Sequence, residues 1–183
     1  TADDGTINGN EAVVANNDVV TAAELAKLTW DPAANANGAG YATFTYTLND
    51  GDGNSASYTA TLTVTAANDL PTSSAVTVAS TEDTLKTYAA SNFAFTDVDS
   101  GDSITRIKVT ILESAGDLEC NNKNGGSNGW EDCVANDYVA AGTDLRLTPA
   151  SNSVADVTFS FMVHDGTDYS AAAYILTTTH AAV

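Results

Sequence analysis

The chain has 183 residues, enough for one large or two small packed domains, and sets 24 acidic side chains against six basic ones, a net charge of −18. So acidic a surface repels nucleic acid and anionic membranes and attracts cations instead. Eighteen of the acids are Asp, the one that sits in turns and ligates hard cations there.

In chain order, Thr1 to Asn16 precede the segment "NDVV". "TAAELAKL" (Thr21 to Leu28) is the one helical stretch, too short to stand alone. The loop "WDPAANANGAGY" follows, then "ATFTYTL" and "SASYTATLTVTA", whose alternation predicts two strands around the acidic turn "NDGDGN" (Asn49 to Asn54). "NDLPT" (Asn68 to Thr72) reads as a joint between modules. Beyond it, "SAVTVAS", "NFAFTDV" and "ITRIKVTILES" predict further strands, then come a polar insert between Cys120 and Cys133, the segments "NDYVAA" and "LRLTP", and the strand "FSFMVHDG". Pro32, Pro71 and Pro149 all fall at predicted turns, and the whole is read as all-β.

Two stretches recur. "FTYTLNDG" (Phe44 to Gly51) matches "FSFMVHDG" (Phe159 to Gly166) at an offset of 115, and "NDVVTAAELAKLT" (Asn17 to Thr29) matches "NDYVAAGTDLRLT" (Asn136 to Thr148) at an offset of 119. The offsets differ by an insertion in the loop between. Two modules are therefore expected, residues 1–67 and 68–183, and they are unequal. The first has only Thr1 to Asn16 ahead of its matching segment, so it lacks the first two or three strands of its own module. Its apolar face, with Phe44, Tyr46, Leu48, Tyr58, Leu62 and Val64, is left without the strands that should cover it.

The ordered set "NDLP", "TEDT", "FAFTDVDSGDSI", "VTI", "LRLTP", "FSFMVHDG", with "LTWDPAANANGAGYATFTYTLNDGDG" in the first copy, resembles the bacterial cadherin-like and VCBS-type tandem repeats of large surface adhesins. The resemblance implies tandem seven-strand Greek-key (Ig/cadherin-like) β-sandwich modules, an extracellular or cell-surface location, and Ca2+ where modules meet. The residues support that expectation by themselves. In such a sandwich the turn "DVDSGD" (Asp97, Asp99, Asp102) and the turn "HDGTD" (Asp165, Asp168) return to the end where the chain enters, beside Asn68 and Asp69. Carboxylates so gathered repel one another unless a cation joins them. Asn68, Asp69, Asp97, Asp99 and Asp165 are the candidate Ca2+ ligands, with Asp102 and Asp168 behind them. "NDGDGN" and "TED" (Thr81 to Asp83) face the opposite way and read as solvated turns.

Cys120 and Cys133 sit at the two rims of a Gly-rich insert with no core of its own. A disulfide is expected, stabilising by about 3 kcal/mol through loop entropy and pointing to an oxidising compartment. Zinc lacks the finger spacing. Trp130, inside the insert, is either a cover on the sandwich or an exposed contact surface. No enzyme is expected: His164 is replaced by Asn49 in the first copy, no Gly-x-Ser-x-Gly setting occurs, and both His164 and His180 read as surface residues. No apolar run nears the roughly 20 residues of a membrane span, Thr1 opens no export signal, and no Asn-x-Ser/Thr glycan acceptor occurs. Three functions follow: a Ca2+-stiffened spacer of an adhesin or fibre, whose partners are adjoining repeats; a filament subunit completed by a strand from another copy; or a carbohydrate-binding module using Trp130.

Overall fold

A computed structural model describes residues 6–9, 12–127, 129–142 and 144–182. The chain is nearly all β and divides into two compact units, Thr1–Ala67 and Asn68–Val183.

Unit 1 contains β1 (Thr6–Gly9), β2 (Ala12–Val13), helix α1 (Ala22–Leu25), β3 (Thr29–Asp31), β4 (Gly38–Tyr46) and β5 (Tyr58–Val64), paired in two small sheets of order β2-β1-β3 and β4-β5. The helix expected over Thr21 to Leu28 shrinks to one turn. Thr21 Oγ1 accepts from Glu24 N and the Glu24 carboxylate accepts from Thr21 N, so a capping box starts the helix. None of its residues is buried, so no packed face extends it.

Unit 2 contains β6 (Val76–Thr81), β7 (Lys86–Tyr88), a 3-10 turn at Ala90–Asn92, β8 (Arg106–Ile111), β9 (Asp117–Asn121), β10 (Trp130–Asp132), β11 (Tyr138–Ala140), β12 (Leu145–Thr148), β13 (Val157–His164) and β14 (Tyr174–Ala181). One sheet runs β10-β9-β12-β7 and the other β11-β8-β13-β14-β6, with β14 and β6 parallel and every other pair antiparallel. This gives nine strands where the resemblance implies seven. Inward residues alternate along β13, with Val157, Phe159, Phe161 and Val163 buried, and they meet Leu118, Cys120, Leu145 and Leu147 of the facing sheet in one core. Tyr88 packs edge-on to Phe159 at 5.5 Å between centroids, and Phe93 edge-on to Phe161 at 4.9 Å. Gly116 is obligatory at the entry to β9: its φ is +82°, and a Cβ there would lie 2.5 Å from the Thr148 carbonyl oxygen.

Three sequence expectations change. "NFAFTDV" is not a regular strand, because Asn92 Oδ1 takes the Ala89 N–H and curls the chain into the 3-10 turn, leaving only a bridge between Thr96 and Thr72. The insert after Cys120 is partly strand, with Trp130 paired to Asn121 and Glu131 to Cys120. His164 and His180 are buried rather than on the surface. Each ring has a backbone partner: His164 Nδ1 accepts from Gly166 N at 2.9 Å, and His180 Nδ1 lies 3.0 Å from the Ala155 carbonyl oxygen.

The matched segments share local geometry. Asn17 and Asn136 both adopt positive φ, 72° and 77°, and the next residue's carboxylate accepts the N–H three residues back: Ala15 N to Asp18 Oδ2 at 2.7 Å, Val134 N to Asp137 Oδ2 at 2.8 Å. The hairpins match in register: Phe44 faces Ala60 and Tyr46 faces Tyr58, as Phe159 faces Leu176 and Phe161 faces Tyr174. Their turns also close alike, since Ser55 N donates to Leu48 O and Ser170 N to Val163 O, both at 2.8 Å. By this correspondence β1, β2, β3, β4 and β5 stand for β9, β10, β12, β13 and β14. Among the described residues of unit 1, no strand stands for β6, β7, β8 or β11.

Candidate metal centre

The turn after β13 is shaped by Asp165. Its Oδ1 accepts from the backbone N–H groups of Thr167 and Asp168, an Asx turn that Gly166 permits at φ +128°. The other oxygen, Oδ2, accepts from Asn68 Nδ2 at 3.1 Å, and the same amide reaches Asp168 Oδ2 at 3.4 Å. Asn68 is held there because the Thr72–Thr96 bridge, with N–H···O bonds of 2.8 and 2.9 Å, lays the entering chain beside the segment that leads into Asp97. Asp69 N then donates to Asp99 Oδ2 at 2.7 Å, and Asp99 N to Asp97 Oδ1 at 2.9 Å.

Asp97, Asp102 and Asp165 each bring one carboxylate oxygen into a group whose members all lie within 4.8 Å of one another. Asp97 Oδ2 is buried and has no hydrogen-bond partner. Desolvation, followed by the charges of Asp97, Asp99 and Asp165, raises the Asp102 pKa above the ordinary carboxylate range. Asp165 goes the other way. Burial pushes it up, but the N–H groups of Asp168 and Thr167, the Asn68 amide and His164 together hold it below that range. His164 itself is lowered, by burial first and then by Arg106. Since Gly166 N donates to its Nδ1, the neutral ring carries its proton on Nε2.

Of the expected ligands, the structure gathers Asp97 and Asp165 in this group and places Asn68, Asp69 and Asp99 in the hydrogen-bond ring around it. Asp69 enters that ring through its backbone N–H. Asp102, a weaker candidate by sequence than Asp97 or Asp165, joins the group. Its signal was Gly101, whose φ of +99° turns the chain back toward Asp97, with Asp102 N 3.4 Å from Asp99 O. Asp50, the counterpart of Asp165, makes the same Asx turn, accepting from Asp52 N at 3.0 Å and Gly53 N at 3.2 Å. Among the described residues no second group of three such ligands forms around it.

At the insert, Cys120 and Cys133 form a disulfide, and both are buried. Lys123 ties the insert down, donating to Asp132 O at 2.8 Å and lying 3.4 Å from Asp137 Oδ2. Asn124 Nδ2 donates to Asp137 Oδ1 at 2.6 Å. Trp130 is half-buried, with the Arg146 guanidinium 4.1 Å from its ring centroid, and Arg146 in turn bonds both Glu119 oxygens at 2.7 and 2.9 Å.

Residues 1–65 match the bacterial Ig domain family. The match covers about a third of the chain and points to a bacterial Ig-like repeat, not specifically to the cadherin-like or VCBS-type repeats. No curated protein and no solved structure gives a significant match. Among the described residues no helix is long and apolar enough to cross a membrane.

Proposed function

We propose that the chain is a non-catalytic structural segment of an extracellular or cell-surface protein, built from Ig-like modules of the cadherin-like kind, in which the acidic group of unit 2 binds Ca2+ and stiffens the entry of the chain into its sandwich. The observation that carries the metal reading is the Asp97 carboxylate, which is grouped with those of Asp102 and Asp165 and whose Oδ2 is buried without a hydrogen-bond partner. An orphaned anionic oxygen among other carboxylates fits a hard cation, which takes oxygen ligands and removes their repulsion. Asp97, Asp102 and Asp165 would hold the ion, with Asn68, Asp69 and Asp99 fixing their positions. The disulfide between Cys120 and Cys133 suits an oxidising compartment, and the matching family is one of structural domains.

The test is calorimetry with and without chelator. Ca2+ at 100 times its Kd should stabilise unit 2 by about 2.7 kcal/mol, and chelation should raise protease cutting near Asp69. Equal melting temperatures and cutting patterns in Ca2+ and chelator would remove the metal from this reading. A second reading, a filament subunit completed by strand addition, is favoured by the exposed Phe44 and Tyr46 of unit 1. Trp130 faces Arg146, so no comparable observation supports a carbohydrate site there.

A further inference from the structure

The β4–β5 hairpin has an open face and an open edge in the same place. Phe44, Tyr46, Leu48 and Tyr58 are exposed, with the rings of Tyr46 and Tyr58 5.9 Å apart and those of Phe44 and Tyr46 6.2 Å apart. Among the described residues β4 pairs only with β5, and its second edge has no described ladder partner. A lipid or a glycan could cover the rings but would leave the edge unpaired. A polypeptide strand satisfies both.

Unit 2 shows what such a strand looks like. Its equivalent hairpin has β8 on the corresponding edge, with Phe161 opposite Val109, Val163 opposite Ile107 and His164 opposite Arg106. The same segment of chain supplies the rings that close the face, Tyr88 over Phe159 and Phe93 over Phe161. Transferred by the shared register, an incoming Arg at the Arg106 position would lie opposite Asn49 and beside Asp50 and Asp52. Charge favours that placement. Residues 1–67 contain eight acidic residues and one basic residue, Lys27, whereas β8 carries Arg106 and Lys108, two of the six basic residues in the chain.

We propose that the free edge of β4 and the aromatic face of Phe44 and Tyr46 form an acceptor for one kind of partner: a polypeptide strand segment with the pattern of residues 86–111. The strand runs antiparallel to β4, with its basic residues toward Asp50 and Asp52, and an aromatic pair spaced as Tyr88 and Phe93 closes over Phe44 and Tyr46. The proposal rests on reading unit 1 as an incomplete Ig-like module, and it is independent of the Ca2+ reading.

A synthetic peptide of residues 84–112 added to the full chain tests it, in parallel in Ca2+ and in chelator. The expected result is saturable binding in both, with new hydrogen-exchange protection over residues 42–48 and unchanged protection in β13. Peptides bearing Phe93→Ala or Ile107→Asp should bind at least tenfold more weakly, and these need no folded variant of the chain. Absence of binding, or binding that protects only unit 2, overturns the proposal. So does a dimer of the chain alone that Phe44→Ser dissolves, because the face would then belong to a second copy of unit 1. Failure here, with the chelator effect intact, leaves the spacer reading standing.

Discussion

The two hairpins β4–β5 and β13–β14 share a strand motif, a register and a turn, yet their rings have opposite fates. Phe44 and Tyr46 are 36% and 42% exposed, while Phe159 and Phe161 are 2% and 0% exposed. The difference lies outside the hairpins. Unit 2 has β7, the 3-10 turn and β8 to lay Tyr88 and Phe93 over the face, and unit 1 has no described counterpart of them. Alternation in a strand thus specifies which face is apolar, and the burial of that face depends on elements far away in sequence. Ala42 is the single buried side chain described in unit 1, against a continuous core in unit 2.

The sharpest break of this comparison is a pair of truncations. Phe159→Ala should cost about 3–5 kcal/mol, the range for removing a buried ring. Phe44→Ala, at the equivalent position, should cost clearly less, because more than a third of that side chain already meets water. Urea unfolding followed separately in each unit reads both. Equal costs would mean that the Phe44 ring is covered in solution. Next in size, reducing the disulfide should cost unit 2 about 3 kcal/mol by the entropy account and leave the unfolding of unit 1 unchanged. Thiol titration and denaturation with and without reductant check it, and two free thiols in the native chain would contradict the bond.

A smaller effect concerns the polar contact between the sheets of unit 2. Tyr88 Oη and Thr178 Oγ1 are 2.6 Å apart and buried, and burial pushes the Tyr88 phenol up to about 12 despite that hydrogen bond. Tyr88→Phe removes one partner and leaves the Thr178 hydroxyl buried, so about 1–3 kcal/mol should be lost. Thr178 faces Val157 in the β13–β14 ladder, and Leu62 faces Ala42 at the matching place in unit 1. The polar bond is therefore specific to the covered hairpin. A loss near zero would show that water reaches Thr178.

Much of this was legible in the sequence because it repeats or alternates. The offsets of 115 and 119 found the paired hairpins and the paired Asn turns, and the placement of Cys120 and Cys133 at the insert rims marked the disulfide. What escaped depends on single hydrogen bonds that leave no period. Asn92 diverts "NFAFTDV" from strand to 3-10 turn, and Gly166 N makes His164 a buried acceptor. The insert looked like a loop because its order comes from Lys123, Asn124 and the Trp130–Arg146 stack rather than from apolar alternation. Asp102 joins Asp97 and Asp165 through one left-handed glycine, which no strand pattern reports.

The finest prediction separates the twin acidic turns. Asp50 and Asp165 both sit below the ordinary carboxylate range: Asp50 because the N–H groups of Asp52 and Gly53 favour its ionised form, Asp165 because its hydrogen bonds outweigh the upward push of burial. A carboxyl with a depressed folded pKa stabilises the fold above its unfolded pKa, and that stabilisation disappears as pH falls through the folded value. Both turns should therefore weaken as pH falls from the ordinary carboxylate range through their lowered folded values. Asp102 has the opposite sign. Its folded pKa is raised, so its ionisation opposes folding, and the metal-free protein should lose stability as pH rises from the unfolded pKa of Asp102 through its folded value. Asp165 contributes to that rise by its charge, after desolvation and Asp97 and Asp99. Carboxyl carbon titration by NMR in chelator should therefore find Asp102 moving back toward the ordinary range in Asp165→Asn, while Asp50→Asn leaves it in place. Asn keeps an oxygen for the turn N–H groups in both variants, so the contrast isolates charge. An Asp102 that titrates identically in wild type and Asp165→Asn would mean that the three carboxylates are not gathered as the structure places them.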